Sequence, residues 1–411
     1  GLQALAQRGT GRLWSSLDPD TLKHVPGDVA TATSLVAGTT VGAGILALPA
    51  VTKASGFVAS SVAMSGAWAF SVAMGLLIAE VNLSTMCELG RGGCSLTAMT
   101  DQTLGPVGSA ASGAAYVFLH YALLVAYIAR GGEAVADLSG LPAPAAGALF
   151  ALAVASLCYL PSARQLDRVN GALVAGVVAS FLVLLALNSG SVDAAELRRA
   201  DWGQVPDSLP VIALAFVYHN VVPVISSSLE GDAAKIRRAI VLGTGLPFLM
   251  FLTWNAVILG QGDAGADPLA ALSADPRTGA AVQVFSLLAV VTSYIGFVLG
   301  LSDFLSDTLG MRAGGRQALP FAVTVVPPSV FALLKPDVFL QALDSAGTYG
   351  VLVLFGVMPC AMSWRSRYSE RTMATSPLLP GGKPALLLLG ASSLSIIAMK
   401  AASALGLTGP L

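Results

Sequence analysis

Charged residues and histidine are scarce in this sequence. Of its 411 residues only 11% are charged, and histidine occurs three times, whereas an average soluble domain is about 25% charged. The net charge of −1 is not the basic excess that binds phosphate backbones, which argues against nucleic acid as a partner. So few histidines also argue against a histidine-rich metal site.

The sequence also lacks the motifs of ATP-driven and redox proteins. It contains no G-x-x-x-x-G-K-[ST] stretch, and therefore no loop of the kind that cradles nucleotide phosphates. The four cysteines, Cys87, Cys94, Cys158 and Cys360, lie in or beside apolar segments, and none is spaced as a metal-binding pair. We predict no cofactor, no metal and no enzyme activity.

Apolar sequence is abundant instead. Hydrophobic residues make up 55% of the chain, and the mean hydropathy is +0.75. Runs of about 20 apolar residues suffice to cross a bilayer as helices, so we predict an all-α polytopic membrane protein with about eleven transmembrane helices. The candidate spans are 31–52, 57–80, 107–130, 143–160, 169–188, 208–229, 238–260, 280–303, 318–334, 338–361 and 384–406. Segment 82–105 is too polar to span, and we interpret it as an interfacial helix and loop.

The first span contains residues that weaken a helix at mid-depth. Gly42 and Gly44 lower helix propensity, and Pro49 removes a backbone donor and clashes with the carbonyl group of Ile45. Backbone groups freed within hydrocarbon need another partner, which a bound polar solute supplies. The pattern predicts a broken helix that forms half of a solute site. Close helix packing through small residues is the alternative.

The sixth span contains a second interruption. Pro223 lies near its middle and clashes with the carbonyl group of His219, four residues earlier. The two interrupted spans are five spans apart. If the chain consists of two repeats, this odd separation gives the second repeat the opposite orientation in the membrane. Such pairs are typical of a transporter site. We therefore predict inverted repeats at 31–188 and 208–361, with 384–406 as an additional helix.

Four short motifs carry a resemblance to a known family. They are AGTTVGAGILALP at 37–49, Glu80-Val81-Asn82, Tyr218–Pro223 and Leu299–Asp307. The chain resembles the hydroxy and aromatic amino acid permeases of the amino acid-polyamine-organocation superfamily, which include bacterial tyrosine and tryptophan transporters and plastid relatives. The resemblance implies a LeuT-type fold of five-plus-five inverted repeats and proton-coupled amino acid symport.

The resemblance and the two interruptions together predict a substrate site. Backbone N–H groups at Gly42–Gly44 suit a carboxylate, and freed carbonyl groups near Tyr218 and His219 suit an ammonium group. The substrate side chain would lie between the third, sixth and eighth helices. The predicted substrate-binding residues are Thr39, Gly42, Ala43, Gly44, Ile45, Tyr121, Tyr218, His219, Asn220 and Ser293.

Three side chains are candidates for the coupling proton, namely His219, Asp303 and Glu80. Ionisable groups inside a membrane tend to be functional. Each has another interpretation: His219 as a neutral residue bonded to a neighbouring helix, Asp303 as a surface residue paired with Arg312 or Arg316, and Glu80 as an interfacial charge at a helix end. The sequence leaves the coupling ion open.

The predicted function is secondary active transport of an aromatic or other neutral amino acid by alternating access. The alternative is a permease-derived structural subunit of a larger membrane complex, with 189–207 and 372–383 as partner surfaces. The chain begins with glycine, and we interpret residues 1–30 as a tail or a transit-peptide remnant. The expected location is a chloroplast or other plastid membrane, the inner envelope, with a bacterial inner membrane as the alternative.

Overall fold

The chain is helical throughout the part that the structure describes. The structure is a computed structural model, and it describes residues 27–89, 94–262, 268–311, 317–369 and 376–407. Residues 1–26, on which the transit-peptide prediction depends, lie outside these ranges. That prediction and the division into two repeats stay predictions.

The helices follow one another with mostly short connections. In chain order they are α1 Val29–Thr40, α2 Gly44–Thr52, α3 Gly56–Leu89, α4 Leu96–Ser139, α5 Ala143–Tyr159, α6 Ala163–Asn188, α7 Val205–Ala215, α8 Val222–Ser228, α9 Ala233–Leu259, α10 Pro268–Ala274, α11 Gly279–Thr308, α12 Ala318–Leu334, α13 Phe339–Ser345, α14 Met358–Tyr368 and α15 Gly382–Ala404. Short 3-10 turns cover Ser189–Ser191, Glu196–Arg198, Trp202–Gln204 and His219–Val221. A π-helix covers Ala346–Val357 between α13 and α14.

Capping residues set several helix ends. Asp28 precedes α1, and its side chain accepts the Thr31 N–H at 3.1 Å, as an N-cap does. This bond and a second one from the Ala30 N–H lower the pKa of Asp28. Ser162 and Gln165 form a reciprocal capping box before α6, and Gly140 ends α4 in the left-handed conformation.

The helices identify a multi-pass membrane protein. Within the described residues, eight segments are long and apolar enough to cross a membrane, and the bent pair of α1 and α2 makes a ninth. Two further apolar helices, α5 and α12, have 17 residues each. Their length of about 26 Å falls just short of a hydrocarbon core of about 30 Å. The predicted total of eleven therefore depends on these shorter helices and on the bent pair.

The second predicted span is longer than expected. Helix α3 continues to Leu89, although the span was placed at 57–80. Residues 81–86 are buried against neighbouring helices, which keeps this polar stretch helical. Residues 82–89 therefore continue α3 and do not form a separate helix, and the interfacial position of 82–105 stays a prediction. Farther on, Gly105 adopts φ 74° and ψ −171° and divides the polar first part of α4 from its apolar remainder.

The first span breaks at the glycines and not at the proline. Residues 41–43 separate α1 from α2, and the two axes differ by 54°. Pro49 lies inside α2, where it costs a single backbone bond. The Ile45 N–H donates to the Gly42 carbonyl group at 3.2 Å, so the chain is helical again before the proline. The break therefore lies at the predicted Gly42–Gly44 end, and the contribution expected from Pro49 is not seen.

The sixth span is interrupted as well. Helix α7 ends at Ala215, residues 216–218 are irregular, and a 3-10 turn at His219–Val221 leads into α8. Pro223 lies in the first turn of α8, where its missing N–H would have no helical partner in any case. Pro223 therefore starts the second half of the span and does not interrupt a continuous helix.

Both breaks lie within one group of packed helices. Helix α1 packs along α9, α3 packs on α7, α8 and α9, and α2 packs on α7. A second group consists of α4, α5, α6, α11 and α12. The π-helix packs against α4, α7 and α15, and so contacts both groups.

Candidate functional site at the two helix breaks

The first break is held by a side chain of α11. The Ala43 N–H donates to the Ser293 hydroxyl oxygen at 2.9 Å. Two of the residues predicted from sequence thus meet, although 250 positions separate them. A carboxylate oxygen is a stronger acceptor for the same N–H group, and the N-terminal end of α2 adds its positive dipole.

The two glycines of the break have different neighbours. A Cβ atom at Gly42 would lie 2.9 Å from the Ser293 hydroxyl oxygen, so a larger residue there would require the Ser293 side chain to move. A Cβ atom at Gly44 would lie 3.2 Å from the Ala215 Cα atom of α7. Gly44 therefore also serves close helix packing, the alternative considered for this motif. Among the described residues, no atom beyond the local helix backbone lies within 4 Å of the Cβ position of Gly38.

The remaining predicted residues of the first span point elsewhere. The Thr39 hydroxyl donates to the Leu35 carbonyl oxygen of its own helix at 2.8 Å. This bond is common for threonine in membrane helices. Ile45 is fully buried in the core beside the break. The Thr39 hydroxyl hydrogen is therefore not available to a ligand in this arrangement, and the Ile45 side chain has no polar group.

Ser71 of α3 stabilises the second break. Its hydroxyl donates to the Phe216 carbonyl oxygen at 2.8 Å, which satisfies a group freed by the interruption. The Ser71 carbonyl oxygen accepts the Tyr218 hydroxyl at 3.0 Å and lies 3.2 Å from His219 Nε2. One serine therefore joins α3 to both sides of the break. Ser71 was not predictable from the sequence, because no motif distinguishes a lone serine in a helix.

His219 lies between two aromatic rings. Its ring stacks on Tyr218 with centroids 4.6 Å apart and on Phe355 of the π-helix at 4.9 Å. The side chain is buried, and His219 Nδ1 has no hydrogen-bond partner among the described residues. The structure thus brings the predicted residues Tyr218 and His219 together. Asn220, the next predicted residue, is exposed.

Two tyrosines of α4 point in different directions. The Tyr121 hydroxyl donates to the Val323 carbonyl oxygen of α12 at 2.7 Å. The Tyr127 hydroxyl lies near the Ser293 side chain, and its ring lies 5.8 Å from Phe297. Tyr127, and not the predicted Tyr121, therefore lies beside the side chain that holds the first break.

Glu80 forms a buried ion pair. Its carboxylate accepts from Arg367 Nε at 2.6 Å and from Arg367 Nη2 at 2.8 Å, and it also accepts the Leu378 N–H at 2.8 Å. The Glu80 side chain is 0% exposed and that of Arg367 is 4% exposed. The interpretation of Glu80 as an interfacial charge at a helix end is wrong, because α3 continues to Leu89 and buries it.

Asp303 is exposed near the end of α11. It shares a face with Asp307, which is also exposed, because residues four apart are neighbours on a helix. The adjacent Phe304 packs on Tyr116 of α4 at a centroid distance of 4.6 Å. Arg312 and Arg316, the predicted alternative partners, lie outside the described residues. Asp303 has no ion pair with any residue that the structure describes.

Comparison with known proteins identifies the family. The model of the tryptophan/tyrosine permease family matches residues 27–399. The chain belongs to this family. Tyrosine-specific transport system 2 of Haemophilus influenzae is 29% identical over 389 residues, which cover 86% of this chain and 91% of that protein. The tryptophan-specific transport protein of Pseudomonas aeruginosa is 29% identical over 390 residues, with coverages of 86% and 90%. The low affinity tryptophan permease of Escherichia coli is 24% identical over 365 residues, with coverages of 81% and 86%.

Family membership confirms the relationship predicted from the four motifs. The relatives named above are transport proteins, and the matched residues cover most of the chain. This member of the permease family is therefore a membrane transport protein and not an enzyme. All three relatives are bacterial, so the predicted plastid origin stays a prediction.

Proposed function

We propose that this permease carries an aromatic amino acid, tyrosine or tryptophan, bound between the two helix breaks. The pair of breaks at 41–43 and 216–218 carries the proposal, because both free backbone polar groups within one group of packed helices. The relatives from Haemophilus influenzae and Pseudomonas aeruginosa support the substrate class, since their names specify tyrosine and tryptophan transport.

The charged ends of an amino acid match the two breaks. Its carboxylate would accept the Ala43 N–H in place of the Ser293 hydroxyl, at the positive end of α2. Its ammonium group would lie at the C-terminal end of α7, where helix carbonyl groups carry partial negative charge. Thr39 and Tyr121 do not take part in this proposal, because their hydroxyls donate to backbone carbonyl groups.

The proposed architecture is eleven crossing helices with a LeuT-type inverted repeat. The two breaks support it, because they occur in the first and sixth predicted spans, which occupy corresponding positions of the halves 31–188 and 208–361. The packing group of α1–α2, α3, α7–α8 and α9 corresponds to spans one, two, six and seven. Alternating access would rock this group against α4, α5, α6, α11 and α12.

We assign the coupling proton to Asp303. Glu80 is less suited, because Arg367 and the Leu378 N–H already bind its carboxylate. His219 is less suited, because its ring is buried between the rings of Tyr218 and Phe355, and no described carboxylate pairs with it to stabilise a positive charge. Of the two carboxylate candidates, Asp303 alone has no ion pair within the described ranges. Its place on α11, in the second packing group, supports a role in movement between the groups.

The alternative of a structural subunit has less support. One of its predicted partner surfaces, 189–207, packs on the chain itself: the Asp193 N–H donates to the Gly260 carbonyl oxygen at 2.7 Å, and the Asp201 N–H to that of Ser55 at 2.8 Å. In the other, 372–383, the described part includes Leu378, which is buried and bonded to Glu80.

Uptake into proteoliposomes tests the proposal. Purified protein would be reconstituted and given radiolabelled tyrosine or tryptophan, with and without a pH gradient. We expect accumulation that the gradient drives and a protonophore abolishes. Failure to take up either amino acid would overturn the transport proposal. Uptake that is the same with and without the pH gradient would overturn the proposed proton coupling but not the proposed transport.

A further inference from the structure

The hydrogen position on His219 follows from its partner. His219 Nε2 lies 3.2 Å from the Ser71 carbonyl oxygen, and a carbonyl oxygen only accepts hydrogen bonds. Nε2 therefore carries the hydrogen. In a neutral imidazole the other nitrogen, Nδ1, then has a free lone pair and acts as an acceptor.

That acceptor is buried and unpaired. No group in the described residues donates to His219 Nδ1, and the residue is 4% exposed. Buried polar atoms in native proteins nearly always have a hydrogen-bond partner, so the unpaired Nδ1 atom needs an explanation. Its position within an interrupted helix supplies one, because such interruptions serve to bind a polar solute.

The surroundings of the ring leave only its edge for a ligand. Tyr218 and Phe355 stack on the His219 ring at interplanar angles of 23° and 14°. A substrate therefore cannot stack on the imidazole itself without displacing a ring. The Nδ1 edge remains as the contact that a substrate group can make.

We propose that His219 Nδ1 accepts a hydrogen bond from the side chain of the substrate, and thereby selects aromatic amino acids that carry a donor. Tyrosine has a phenol O–H and tryptophan an indole N–H, whereas phenylalanine has no side-chain donor. This inference rests on the proposed function, since it needs an aromatic amino acid between the breaks. Sites that bond a substrate hydroxyl reject the analogue lacking it, because the buried partner is then left unpaired.

Matched analogues test the inference on the unaltered protein. Competition against radiolabelled tryptophan would compare tyrosine with phenylalanine, and tryptophan with 3-benzothienylalanine, in which sulfur replaces the indole N–H. We expect each donor-bearing compound to bind at least about tenfold more tightly than its partner. Equal affinities within both pairs would overturn the inference and leave the proposed function intact. Absence of binding by all four would contradict the proposed function itself.

Two substitutions then locate the acceptor. His219→Asn places a carbonyl oxygen near the position of Nδ1, and His219→Gln places an amide nitrogen near the position of Nε2. We expect His219→Gln to lose the preference for tyrosine over phenylalanine and His219→Asn to retain part of it. If His219 only anchors the break to Ser71, the order reverses, and that result would overturn the inference. The preference is a ratio of affinities within one variant, so a general loss of stability does not mimic it.

Discussion

At the scale of single residues, the ion pair between Glu80 and Arg367 gives the clearest energetic expectation. Both side chains are buried, and the arginine binds the carboxylate through two nitrogens. Removing one partner of such a pair leaves an uncompensated charge in a medium of low dielectric constant. That cost far exceeds the value of an exposed pair.

Glu80→Gln is expected to destabilise the protein strongly. The amide keeps the shape of the side chain but leaves the Arg367 guanidinium without a negative partner. We expect the free energy of unfolding to fall by about 3–5 kcal/mol, measured by thermal unfolding in detergent. Glu133→Gln is the matched control. Glu133 pairs with Arg130 at a similar distance between nitrogen and oxygen, 2.8 Å, but its side chain is 38% exposed. It should change stability by at most about 1 kcal/mol. Similar small losses in both variants would contradict the structural role of Glu80.

Some residues of the site were predictable and others were not. Gly42 stands out because glycines close together lower helix propensity, and His219 because an ionisable residue is rare in a membrane span. Ser71 does not stand out, and its partner Phe216 lies 145 positions away. The pairing of Glu80 with Arg367 spans 287 positions. Hydropathy and spacing report on neighbours along a helix, and therefore contain no information on such contacts.

At the scale of elements, both interruptions were predicted, but the two prolines do not cause them. A helix tolerates proline in its first turn, where the missing N–H has no helical partner. This explains Pro223 at the start of α8 but not Pro49, the sixth residue of α2, where the helix continues without that bond. The actual breaks occur where side chains from other helices, Ser293 and Ser71, satisfy the freed backbone groups.

The π-helix was not predicted. It has twelve residues, Ala346–Val357, whereas most π-helical segments are single turns and often lie at functional sites. Its wider backbone has no distinct hydrophobic period in the sequence. It places Phe355 on His219 and Gly347 directly against the backbone of Pro210 in α7.

Gly347→Ala is expected to disturb this packing. The new Cβ atom would collide with the Pro210 backbone, which cannot rotate away as a side chain does. We expect a loss of about 1–3 kcal/mol in stability, seen as a lower midpoint of thermal unfolding. Gly296→Ala in α11 is the control, because in the described part of the chain no atom beyond the local helix backbone lies within 4 Å of its Cβ position. Alanine there should leave stability equal or raise it by up to about 1 kcal/mol. Unfolding of Gly347→Ala at the same temperature as the unaltered protein would contradict the close contact between Gly347 and Pro210.

At the scale of the whole molecule, the proposed cycle needs a group that exchanges protons as the two packing groups move. Asp303→Asn tests the assignment. We expect this variant to lose accumulation driven by a pH gradient while retaining exchange of internal for external tyrosine, because the amide binds no proton but leaves the substrate site unchanged.

Asp307→Asn serves as the control for Asp303→Asn. Asp307 is exposed on the same helix face, four residues away, and has no part in the proposal. It should retain pH-driven accumulation. If both variants accumulate tyrosine as well as the unaltered protein, the coupling proton is not carried by Asp303.

The central claim is that the breaks form the substrate site, and Gly42 allows its most direct test. A valine at Gly42 would push the Ser293 side chain away and cover the Ala43 N–H. Gly44 is less suitable, since a side chain there would also force α2 away from α7. Gly38→Val is the matched control, because the Cβ position of Gly38 has open space around it.

Isothermal titration calorimetry of the purified variants with tyrosine and tryptophan tests whether the breaks form the substrate site. Loss of a hydrogen bond to the substrate carboxylate, worth about 1.5–3 kcal/mol, lowers affinity by at least about tenfold. We predict this loss for Gly42→Val and affinities within about twofold of the unaltered protein for Gly38→Val. Equal affinities of Gly42→Val and the unaltered protein for both amino acids would show that the substrate binds elsewhere.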